Sequence, residues 1–149
     1  MKAIGITSDT CASGLAKALP ATGAQTIFTI TGGPILLVAL VGIVTTAIQN
    51  QACTAVWNSI DTLSSTTKAL TGTTTLTNLL IGEVIVIPAA TLATAGLIAT
   101  GGVVEQTVSD MVTIPAGIIN YVTSATNTGA IQWYMRYEPL SPTTVVVAN

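Results

Sequence analysis

The stretch from Gln25 to Gln51, QTIFTITGGPILLVALVGIVTTAIQNQ, constrains the fold most, because Ile35 to Ile48 holds no charged residue. A helix needs about 20 consecutive apolar residues to cross a bilayer. This run is shorter, since Gly32-Gly33-Pro34 stops it on one side and Gln49 on the other. Its Val, Ile and Thr residues favour strands over helices. The stretch therefore predicts a turn at Gly32-Gly33-Pro34, in a hairpin or a corner, that leads into a long strand.

This predicted strand is apolar on both of its faces. Strict alternation places Leu36, Val38 and Leu40 on one face, and the residues between them on the other. In a small two-layer sandwich only one face of a strand meets the core. We therefore expect the other face to meet another subunit. The residues expected at this oligomer interface are Val38, Leu40, Trp57 and Tyr134.

The remaining patterns indicate a β protein. Ala130 to Glu138 alternates apolar and polar side chains, which is typical of a half-buried antiparallel strand. Turn signals at Pro115-Ala116-Gly117 and Asn127-Thr128-Gly129 precede it at short spacing. We predict an all-β fold, an antiparallel sandwich or barrel that is jelly-roll-like.

We expect a single domain over 1–149, with an extended N-terminal arm (1–24), a β core (25–138) and a C-terminal tail (139–149). The tail contains Val145-Val146-Val147 and is expected to lie on a neighbouring sheet or subunit. Ala89 to Gly102 is compatible with a strand or with a short helix.

Charge is scarce along the whole chain. Only 7% of the 149 residues are charged, whereas about a quarter is usual, so we expect a homo-oligomer or a part of a larger assembly. The net charge of −2 and the lack of a basic cluster argue against nucleic-acid binding. Polar residues interrupt Ile4 to Leu15, so no secretory signal is predicted. Because Ile35 to Ile48 is too short to span a bilayer, no membrane association is predicted either. Cys11 and Cys53 are interpreted as two small apolar residues, with a disulfide as the alternative.

Residues for catalysis are missing or scattered. The chain has no histidine, which removes the commonest general base and metal ligand. Glu83 lies within the apolar run Leu79 to Ile87, where we favour a strand residue that faces solvent or pairs across an interface over a functional acid. Trp133, Tyr134 and Tyr137 form either a carbohydrate-stacking platform or, as we favour, core packing. We predict no enzyme, no cofactor and no metal site.

Two passages carry a resemblance. They are TIFTITGGPILLVALVGIVTTAIQNQA, Thr26 to Ala52, and IPAGIINYVTSATNTGAIQWYMRYEPLSPTTVVVA, Ile114 to Ala148. Together they resemble a family of small β-rich structural proteins of tailed bacteriophages, while the middle, Trp57 to Ile87, does not clearly match. The resemblance implies a virion structural protein without catalysis.

Within that family we expect a capsid decoration, or cement, protein that stabilises the head lattice as a trimer. It would bind itself and the major capsid protein, through the arm, the tail or both, and would lie on the virion surface after assembly in the host cytoplasm. A tail- or neck-associated virion protein is the first alternative. An adhesion module is the second.

Overall fold

The computed structural model describes residues 10–20, 23–87, 97–99 and 112–149, and these residues form two antiparallel β-sheets without any helix. The predicted all-β class is therefore confirmed. Neither sheet closes on itself within these ranges, so the architecture is the sandwich and not the barrel. Apolar side chains of both sheets meet in one core.

The described residues form thirteen strands, numbered here in chain order. They are β1 (Thr10–Ser13), β2 (Lys17–Ala18), β3 (Gly23–Thr31), β4 (Ile35–Thr46), β5 (Thr54–Asp61), β6 (Thr67–Ala69), β7 (Thr74–Thr75), β8 (Val84–Ile87), β9 (Leu97–Ala99), β10 (Val112–Ile114), β11 (Gly117–Thr123), β12 (Ala130–Pro139) and β13 (Val145–Ala148).

Strands that follow each other in the chain mostly lie in different sheets. The first, sheet I, has the order β1-β12-β4-β8-β9, with β10 also paired to β4 and β2 to β12. The second, sheet II, has the order β13-β3-β11-β5-β6, with β7 also paired to β5. Because β3 and β4 belong to different sheets, Gly32-Gly33-Pro34 forms a corner and not a hairpin.

The predicted long strand is β4, which runs for 12 residues through the middle of sheet I. It contains a β-bulge, because Arg136 of β12 pairs with Ala39 whereas Tyr137 pairs with Leu37. Val38 is the extra residue, and such an insertion changes which side chains face inward. After the bulge Leu40 faces the core, where it is fully buried.

Three aromatic side chains form the centre of the core. Trp57 of β5 stacks on Tyr121 of β11 with ring centroids 6.0 Å apart, and it meets Trp133 of β12 edge-on at 5.4 Å. Tyr121 and Trp133 complete the triangle at 5.8 Å. The cluster joins the two sheets, since β5 and β11 belong to sheet II and β12 to sheet I. The Tyr121 hydroxyl donates to the Gln25 side-chain oxygen at 2.6 Å.

The arm and the tail are edge strands of the sandwich where the structure describes them. Within 10–20, β1 and β2 pair with β12, and β3 begins at Gly23 inside sheet II. The tail supplies β13, which pairs with β3 of the same chain, so it lies on a neighbouring sheet. Residues 1–9 of the arm lie outside the described residues.

One predicted strand is shorter in the structure, and an ambiguous segment is partly described. The run Leu79 to Ile87 is a strand only from Val84, because a turn spans Leu80 to Glu83. Of Ala89 to Gly102, the structure describes Leu97–Ala99, which is a strand, and the rest lies outside the described residues.

Candidate interaction site

One face of β4 turns away from the core and carries apolar side chains. The partly exposed side chains on it are Leu36, Val38, Val41 and Ile43. In β12, Tyr134 pairs with Val41 and is 37% exposed. We call these five residues the β4 patch. On the other side of β4, Val86 and Val84 pair with Val41 and Ile43 but are buried, so the exposed part of the patch is confined to β4 and Tyr134.

The structure divides the four residues expected at an oligomer interface into two pairs. Val38 and Tyr134 belong to the β4 patch and are accessible from outside. Leu40 and Trp57 are completely buried inside the chain, so the expectation that they contact another subunit is wrong. The bulge at Val38 turns Leu40 inward, and Trp57 sits in the aromatic cluster on the inner face of sheet II. Only Val38 and Tyr134 remain interface predictions.

Asp61 organises a loop at the end of β5. Its carboxylate accepts hydrogen bonds from the Ser64 hydroxyl at 2.6 Å, from the Leu63 amide at 3.0 Å and from the Ser64 amide at 3.2 Å. These bonds hold the pKa of Asp61 below its ordinary value, with the hydroxyl of Ser64 as the largest cause. All of its partners are local, which indicates a structural role in the loop.

Glu83 does not occupy a strand, which corrects the interpretation that it faces solvent or pairs across an interface. It precedes β8 in the turn, is 8% exposed, and its carboxylate accepts a hydrogen bond from the Leu80 amide at 2.9 Å. The carboxylate therefore satisfies an amide group of its own turn.

Two clefts lie at the corner end of the sandwich. One, of about 490 Å³, is lined mainly by apolar atoms of Gly32-Gly33-Pro34, Leu63 and Pro115. The other, of about 320 Å³, lies between Lys68 and β10. Among the described residues Asp61 is the one carboxylate that lines either cleft. The two carboxylates that a glycosidase site would need are therefore not brought together in these clefts by the described residues.

Other candidate chemical groups are separated by the fold. Cys11 is exposed and Cys53 is buried, and both are free thiols, so the disulfide alternative is wrong. Trp133 and Tyr137 are buried in the core, which confirms core packing for these two, whereas Tyr134 lies on the outer face.

Within the described residues no three His, Cys, Asp or Glu side chains group as metal ligands. No helix in the same ranges is long and apolar enough to cross a membrane.

Comparisons with protein-family models, with curated proteins and with solved structures find no match to this chain.

Proposed function

We propose that this chain is a non-enzymatic structural protein of a tailed-phage virion, and specifically a capsid decoration protein that assembles with copies of itself on the major capsid protein. The observation that carries the proposal is the β4 patch, an apolar surface at the middle of a sheet in a chain with few charges. Its relation to phage proteins rests on the sequence resemblance at Thr26 to Ala52 and Ile114 to Ala148.

The patch suits a protein that is permanently packed against others. A sheet with one face in solvent normally carries polar residues on that face, whereas Val38, Val41 and Ile43 are apolar and partly exposed. Contiguous exposed apolar surface marks interaction sites. Weak contacts made through such a patch add up when many copies bind a repeating lattice.

The predicted route of capsid binding needs revision, because the described part of the arm and the tail are engaged in the sandwich. We assign the contacts with the shell, and those that form the trimer, to the outer face of sheet I. A trimer at the local three-fold sites of the head remains the proposed arrangement. A tail or neck protein would use the same patch, so its position in the particle distinguishes it.

The deciding experiment counts and locates the protein in purified virions. Gel densitometry and a cryo-EM reconstruction should show hundreds of copies outside the major capsid shell, on the head. Density confined to the tail or neck would refute the decoration role and favour the alternative. Absence of the protein from the particle would refute a virion function altogether.

A variant pair tests the role of the β4 patch. Val38→Lys places a charge on the outer face of sheet I, so it should abolish particle binding and the self-association made through this face, while the circular dichroism spectrum stays native. Leu40→Lys places the charge in the core and should prevent folding, since Leu40 is fully buried. Val122→Lys, a change of a 36% exposed valine on sheet II, is the control that should still bind. Normal binding by Val38→Lys would show that the patch is not the contact.

A further inference from the structure

The strand β13 lies at the edge of sheet II and has an open side. It pairs with β3 alone among the described strands. The Asn149 amide donates to the Ile27 carbonyl at 3.0 Å. Because the hydrogen-bonding direction alternates along an antiparallel strand, Val145 and Val147 direct their backbone groups toward β3. The N–H and C=O groups of Val146 and Ala148 therefore point away from the sheet.

Nothing on this edge discourages pairing with another strand. Natural edges are usually protected by charged residues, proline or a bulge, and Val145–Ala148 contains no charge, no proline and no register shift. The opposite edge of sheet II, by contrast, carries Lys68 in β6. Val145 and Val147 are 53% and 51% exposed on the outer face beside the open edge.

The residues that flank β13 leave its edge accessible. The side chain of Asn149 turns toward β3, where its amide donates to the Thr29 hydroxyl at 2.9 Å. At the other end the Thr144 hydroxyl donates to the Pro34 carbonyl at 3.3 Å. Both flanking side chains are thus held against their own chain and do not cover the outward groups of Val146 and Ala148.

We propose that β13 pairs with β13 of a second copy, antiparallel and across a two-fold axis, so that sheet II continues through both molecules. An identical strand fits this edge because it carries the same outward N–H and C=O groups and no charged side chain. When Val146 lies opposite Ala148 of the second copy, the symmetric contact pairs Ala148 with Val146, and all the outward groups of both residues are satisfied. In this register the two Val147 side chains face each other at the axis.

Cross-linking tests this register directly. Opposite residues of a non-hydrogen-bonded antiparallel pair have Cα atoms about 4.5 Å apart, which is within the range for a disulfide. We therefore expect Val147→Cys, in a Cys11→Ser background, to form a dimer of about twice the 15.1 kDa chain mass on a non-reducing gel after mild oxidation. Val122→Cys in the same background is the matched control, because Val122 is exposed on the same sheet but lies in β11, two strands from the edge. Equal cross-linking of the two variants, or none at position 147, would overturn the proposal.

A charge variant supplies a second measurement. Val147→Lys sets two like charges opposite each other at the axis, so the mass measured by sedimentation should be half that of the native protein, with an unchanged circular dichroism spectrum. Val122→Lys should keep the native mass. The mass halves when the β13 contact joins two closed units, and contacts through the β4 patch are kept because that patch lies on sheet I. An unchanged mass for Val147→Lys, or a native protein that is monomeric, would refute the two-fold contact. Since the measurement uses purified protein, it remains decisive if the protein proves absent from virions.

Discussion

Replacement of Gly42 by alanine tests how tightly the centre of the sandwich is packed. Gly42 lies in β4 opposite Trp133 of β12. A Cβ atom at this position would lie 2.7 Å from Cζ3 and 2.8 Å from Cη2 of the Trp133 ring, and 2.8 Å from Cγ2 of Ile131. Carbon atoms in favourable contact are about 3.5–4.0 Å apart, so the ring and the methyl group must separate by about 0.7 Å or more. The ring has little room to do so, because Trp57 and Tyr121 pack against it.

The expected cost follows from two opposing contributions. Overpacking of a close-packed core costs about 1–3 kcal/mol, while removal of a glycine from a strand interior contributes about 0.5–1 kcal/mol in favour of the variant. We expect Gly42→Ala to lower the free energy of unfolding by about 1–2 kcal/mol. With a urea dependence of about 1–3 kcal/mol per molar, the midpoint should fall by roughly 0.3–2 M. Tryptophan fluorescence reports the transition, since Trp57 and Trp133 are the two tryptophans of the chain.

A double-mutant cycle with Trp133→Phe separates this clash from other effects. Phenylalanine lacks the outer ring atoms that the new methyl group would meet, and the buried indole nitrogen of Trp133 has no hydrogen-bond partner among the described residues. Gly42→Ala should therefore be less costly, or stabilising, in the Trp133→Phe background. The same cost in both backgrounds, or a native protein stabilised by Gly42→Ala alone, would refute the packing argument.

Two further predictions concern loops. Gly32 (φ 75°) and Gly82 (φ 87°) both adopt the left-handed conformation, but a Cβ on Gly32 would overlap the Thr143 carbonyl, whereas nothing lies within 4 Å of one on Gly82. Gly82→Ala should lower the free energy of unfolding by about 1–2 kcal/mol, and Gly32→Ala should lower it by clearly more. Equal melting temperatures of the two variants would contradict the clash at Gly32. The pKa of Asp61 is lower in the folded chain than its ordinary value of 3.8. Its carboxylate therefore stabilises the fold at pH values above 3.8, and this contribution is lost as the pH falls through the folded pKa. Asp61→Asn should therefore be less stable than the native protein at pH 7, and the difference should shrink as the pH falls below 3.8; parallel stability curves from pH 7 to acid pH would contradict the role of Asp61.

The sequence predicts the class of the fold and the long central strand, because apolar composition and alternation are local properties. The alternation in Ala130 to Glu138 correctly assigned Trp133 to the core. The faces of β4 could not be assigned in this way. A period of two places Val38 and Leu40 together, but the bulge that separates them is defined by the register against β12, a strand about 90 residues away in the sequence.

A local sequence pattern also cannot predict which strand an extended segment pairs with. Their composition predicts that the arm and the tail are extended, but their positions depend on which sheet edges are open after the core has formed. The tail occupies the edge beside β3, and β1 occupies the edge beside β12. Glu83 was assigned to a strand because its neighbours are apolar, whereas the amide of Leu80 gives its carboxylate a partner within a turn.

Few charged side chains lie on the described surface of the chain. Six charged residues lie in the described ranges, and Glu83 among them is buried in its turn. Asp61 directs its carboxylate to the amides and hydroxyl of its own loop. Surface charge normally keeps proteins apart, so a chain that retains so little of it is poorly protected against association. The β4 patch and the open edge of β13 are two described surfaces at which association is proposed, and they lie on different sheets. Association through both would bury apolar side chains in one place and satisfy backbone groups in the other, which is the combination that an extended, repeating assembly requires.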